Sequence, residues 1–138
     1  MIFQNTRGLD SRIQKYGCYF MSLLYNGSRL SGQPMSVERI NQLRSVAVAE
    51  GYMKDDCYIL DPAAIIALAG GRVEYLGKMS REYVCKEGEF EILKMSRMGV
   101  VHFVCGSGFG IVTYDPWRPG SQTAEYGNID SKRVFKER

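Results

Sequence analysis

The sequence is poor in histidine, with one residue, His102, among 138. That scarcity excludes the usual mixed Cys/His zinc sets. The four cysteines, Cys18, Cys57, Cys85 and Cys105, also lie far apart with no C-x-x-C pair. No metal and no cofactor is expected. Long apolar runs are missing as well: no stretch approaches the roughly 18 residues that span a bilayer. The start, MIFQNTRGLDSR, has no charged segment followed by a long apolar one, so no export signal is read and no membrane partner is expected. These absences point to a cytoplasmic, reducing setting in which the cysteines are thiols. Neither sign of charge dominates, 18 basic residues against 15 acidic giving a formal net charge of +3. Much of that excess is Lys132, Arg133, Lys136 and Arg138, read as a solvated terminus and not as a nucleic-acid patch.

What is present is enough apolar content, 45%, to bury a core, at a length that fits one domain over residues 1–138. Residues 1–17 are polar and turn-rich. The segment from Cys18 to Tyr25 is apolar on every side and free of β-branched residues, which predicts a buried helix ended by Asn26-Gly27, with Cys18 in its first turn. Ser36 is set as the N-cap of a helix reaching about Glu50 before Gly51, with Val37, Ile40, Leu43 and Ala47 on its apolar face. Asp61-Pro62 predicts a short helix from Ala63 to Ala69, closed by Gly70-Gly71.

The second half reads differently. Arg72–Leu76, Tyr83–Lys86, Phe90–Met95, Val100–Cys105 and Gly110–Tyr114 are short runs rich in β-branched and aromatic residues between glycine-bearing turns. They predict a meander of antiparallel strands. Helices followed by strands make an α+β fold, a helical layer packed on one sheet.

A cysteine at a helix start is placed where unpaired N–H groups and the helix dipole favour the thiolate, which makes Cys18 the candidate nucleophile. As the only imidazole, His102 is the only base a Cys-His mechanism could use, and a strand would hold its orientation. Asp115 follows thirteen residues later. If it ends the next strand, it reaches the ring across the hairpin and fixes its tautomer. Gln14, four residues before Cys18, is the candidate to share a developing oxyanion with the Cys18 N–H.

Gln14-x-x-x-Cys18 opening an apolar helix, the late Gly99-Val-Val-His102-Phe-Val104, and Tyr114-Asp115-Pro116-Trp117 together resemble the papain-like cysteine peptidases. The branch they resemble most is the bacterial peptidases that cleave double-glycine leaders from bacteriocins. The Tyr-Gly-Cys-Tyr-Phe start is also similar to a poorly characterised group of short proteins from spirochaete and prophage genomes. The resemblance implies Gln14 in the oxyanion hole, Cys18 as nucleophile, His102 as base and Asp115 as orienting carboxylate, acting on a peptide or protein substrate through a thioester. Two departures stand out: the glutamine is closer to the cysteine than in most such enzymes, and Tyr19 follows the nucleophile where many carry glycine. A reading from another class is a non-catalytic interaction module, in which Cys18 and His102 are core residues and some of the nine tyrosines bind a partner.

Overall fold

The computed structural model describes residues 2–138. Five helices and five strands follow in chain order: α1 Ser11–Tyr16, α2 Cys18–Ser31, α3 Val37–Ala49, α4 Pro62–Leu68, β1 Val73–Ser80, β2 Glu89–Arg97, β3 Val100–Gly106, β4 Val112–Tyr114, α5 Gln122–Tyr126 and β5 Asn128–Glu137. The strands form one antiparallel sheet in the order β1-β5-β2-β3-β4. The architecture is α+β, as expected.

The helix starts follow the local chemistry of the sequence. Ser36 Oγ accepts from Arg39 N at 3.1 Å and Asp61 from Ala64 N at 3.1 Å, so each helix begins where its capping side chain takes an orphan N–H. The end of α2 departs from expectation. It runs through Asn26-Gly27 to Gly32, whose φ of 73° closes it. Asn26 is buried and spends its amide on Ser22 O and Cys105 Sγ, so it packs and does not turn. A Cβ on Gly27 would stand 2.5 Å from the Ala69 Cβ, so this glycine is where α2 and α4 touch.

Three further corrections concern elements. Residues 11–16, read as part of a polar loop, form α1, begun by Asp10, which accepts from Arg12 N. Tyr83–Lys86 is not a strand: Tyr83 N bonds to Ser80 O and Cys85 N to Gly108 O. The basic terminus, read as solvated, is β5, which inserts between β1 and β2 and turns the expected meander into a crossed order. Val134 and Phe135 are fully buried there, and Lys132 is buried against Glu91 at 2.9 Å.

One face of the sheet carries Phe90, Ile92, Phe135, Cys105 and Phe103 against the helical layer, around Phe20, Leu23, Leu24, Ile65 and Ile66. On the other face a smaller cluster of Leu93, Met95 and Val104 takes Ala124 of α5. His102 is paired with Met95 and so stands on that second face. No helix among the described residues is long and apolar enough to cross a membrane.

Candidate functional site

The site forms where the start of α2 meets β3. β4 pairs only with Cys105 and Gly106, so most of β3 lacks a neighbour on that side. The first turn of α2 comes alongside this open edge. Ser22 Oγ lies 3.4 Å from Phe103 O, and the Tyr19 ring stacks on Phe103 at 4.4 Å with planes 6° apart. Tyr19, which departs from the resemblance, thus clamps the residue after Cys18 onto the residue after His102.

Cys18 opens α2 with Gly17 as N-cap and no side chain capping the first turn. A Cβ on Gly17 would stand 2.5 Å from Ile13 O, so only glycine permits the tight passage from α1 that sets Cys18 at the helix start. Cys18 and His102 line one cavity of about 380 Å3 together with Gln4, Lys15, Trp117 and Ser121. His102 is buried, and its Nε2 lies 2.7 Å from Asp115 Oδ1, leaving Nδ1 for Cys18. Burial pushes the imidazole down. The hydrogen bond to Asp115 and a side-chain interaction with Cys18 outweigh it and raise the ring to about 9.

The Asp115 carboxylate is itself held in place. Oδ1 accepts from Trp117 N at 2.9 Å, and Oδ2 accepts from Ser121 N at 2.8 Å and Ser121 Oγ at 3.1 Å. Burial pushes this carboxyl up, but the hydrogen bonds from His102, Ser121 and Trp117 prevail and hold it below the usual carboxylate range. The hairpin that the sequence suggested does bring Asp115 to His102.

Gln14 is placed differently from its expected role. Its Nε2 donates to Thr6 O at 3.0 Å, and its side chain does not line the cavity with Cys18. Gln4 occupies that wall instead, buried, with Nε2 donating to Gln14 O at 3.1 Å. An amide NH2 has two hydrogens, so one remains after this bond, while Gln4 Oε1 is buried without a partner. Gln14 therefore enters the site through its backbone. Nothing local in the sequence marks Gln4, fourteen residues before Cys18. It reaches the cavity because residues 2–5 are tied to residues 114–118. Tyr114 Oη donates to Ile2 O, Gln4 N to Pro116 O and Asn5 Nδ2 to Arg118 O.

The other thiols have different surroundings. Burial pushes Cys57 up, Cys85 to about 11 and Cys105 to about 12. Cys18 is the one cysteine among the described residues that shares a cavity with the histidine.

Residues 1–137 match the model of a family described as "Protein of unknown function, DUF261". No curated protein and no solved structure matches the chain.

Proposed function

The chain belongs to the DUF261 family, whose description assigns no activity, and from the geometry of the site we propose that it is a papain-like thiol hydrolase of amide bonds. The observation that carries this reading is Cys18 at an uncapped helix start, facing an imidazole whose far nitrogen is held by Asp115 at 2.7 Å. A nucleophile, a base and a group that orients the base are thereby aligned.

In the proposed reaction the proton shared by Cys18 and His102 stands on the ring, and the sulfur attacks the amide carbonyl, forming a C–S bond. The carbonyl oxygen gains the charge, and the Cys18 N–H and the second Gln4 amide hydrogen are the donors aimed at it. As the C–N bond breaks, the amine leaves with the proton from His102. An imidazole raised to about 9 holds that proton at neutral pH, in the form that can donate. Water then attacks the thioester, giving its proton to His102 and releasing the acid and the free thiol. Gln4 takes the role that the resemblance would give to Gln14.

Alkylation tests the reading directly. Limiting iodoacetamide at neutral pH, followed by peptide mass spectrometry, is expected to label Cys18 ahead of Cys57, Cys85 and Cys105, by about tenfold or more. His102→Ala removes that preference. Equal labelling of the four cysteines, or an inert Cys18 in the folded protein, would sink the proposal in favour of an interaction module.

A further inference from the structure

Cys18 also borders a second, larger cavity, of about 560 Å3, on the side away from His102. Its walls include Tyr19, Tyr58, Tyr75 and Phe103, and two cations, Lys94 and Arg133. The hydrolase reading says which half of a substrate lies where. His102 must hand its proton to the departing amine, so the amine half occupies the smaller cavity and the acyl half extends into the larger one.

The cations of that cavity belong to a cluster of like charge on the sheet. In the sheet register Lys78 of β1 stands directly opposite Arg133 of β5, and Lys94 of β2 stands on the diagonal, two residues beyond Ile92, the partner of Arg133. Directly paired residues share a face, so three cations sit together across three neighbouring strands. Like charges opposite one another destabilise a sheet. Here nothing offsets them: among the described residues no carboxylate lies within 4.0 Å of Lys78, Lys94 or Arg133. The acid in the cavity wall, Asp56, accepts from Tyr58 N. Lys132, Arg44 and Arg138 by contrast each have a carboxylate partner, Glu91, Asp55 and Glu74.

Arg133 is also held ready. One N–H donates to Ser131 Oγ at 2.8 Å and the guanidinium lies 5.7 Å from the Phe103 ring centre. It stands near enough to the Tyr19 and Tyr75 hydroxyls to counter part of the rise that burial imposes on both. A planar fork fixed in this way keeps donors for a carboxylate. We propose that this cavity binds an acidic side chain in the acyl half of a peptide substrate, with Arg133 and Lys94 as the residues that select it.

The test compares matched tripeptidyl chloromethyl ketones that carry glutamate or glutamine at the first, second or third residue from the reactive carbon. Inactivation of Cys18 is followed by mass at about 50 mM salt, where screening is weak. At one of these positions the glutamate probe is expected to react about tenfold faster or more. Reading a ratio of rates cancels any general change in thiol reactivity. Lys94→Gln and Arg133→Gln should each lower the ratio by about threefold or more, and Arg133→Lys should keep most of it. A ratio near one at every position, a preference that survives both neutral variants, or protection of Cys18 by an oligothymidylate without any glutamate preference would overturn the proposal. Should Cys18 be inert to iodoacetamide, the hydrolase reading fails by itself. The cavity is then judged by fluorescence anisotropy on Cys18→Ala with fluorescein-labelled Glu-Glu and Gln-Gln peptides, where equal affinity overturns it.

Discussion

At the scale of single residues, the behaviour of His102 follows from two opposed effects. Burial disfavours its charged form, while Asp115 at 2.7 Å and the facing Cys18 favour it, and the ring settles near 9 against an ordinary value of 6.5. A pKa raised in the folded state contributes stability below the unfolded value of 6.5, and that contribution is lost as pH rises through about 9. Urea unfolding of wild type is therefore expected to lose about 3 kcal/mol between the acid and alkaline sides of that window, beyond any loss seen in His102→Gln. A wild type and a variant with parallel pH profiles would show that the ring is not held as a cation. His102 and Asp115 were legible because one sits on β3 and the other directly follows β4, strands joined by a short hairpin, where proximity along the chain becomes proximity in space. Gln4 was not, because its place depends on a contact with Pro116, more than a hundred residues away.

At the scale of elements, β5 and α2 show how burial overrides local signals. Lys132 reads as a solvent-facing residue of a basic tail, yet its ammonium is buried, bonded to Glu91 Oε1 at 2.9 Å and Tyr83 O at 2.6 Å. Glu91 Oε2 in turn accepts from Gly108 N and Gly110 N, and so ties down the turn between β3 and β4. Removing one member of such a pair strands the other charge in the interior. Lys132→Ala is expected to cost about 3–5 kcal/mol in urea unfolding, and the double variant Lys132→Met, Glu91→Gln should recover part of it. An unchanged midpoint for Lys132→Ala would mean that water reaches Glu91. The longer α2 has the same origin. Asn-Gly is a turn signal in isolation, but here both residues face protein, and the close approach of Ala69 makes the missing side chain of Gly27 an advantage.

For the whole molecule, the position of β5 is decisive. It pairs with both β1 and β2, and β1 pairs with no other strand of the sheet. Deleting residues 128–138 removes Val134 and Phe135 from the interior and leaves β1 without a partner. Losses of a few kcal/mol for each large buried side chain exceed what a marginally stable fold tolerates. The truncated chain is expected to lose cooperative unfolding in urea and its near-ultraviolet circular dichroism, whereas a solvated tail could be cut with little effect. The sequence by itself determined the α+β class, the starts of the helices at Ser36 and Asp61, the helical setting of Cys18 and the pairing of His102 with Asp115. Each of these rests on interactions within a few residues or across one hairpin. Only the tertiary structure decided that the last strand enters the sheet between β1 and β2, that Gln4 and not Gln14 lines the cavity beside Cys18, and that Lys78, Lys94 and Arg133 share one face. Those outcomes are set by which distant segments bury one another, and local periodicity carries no record of a partner dozens of residues away.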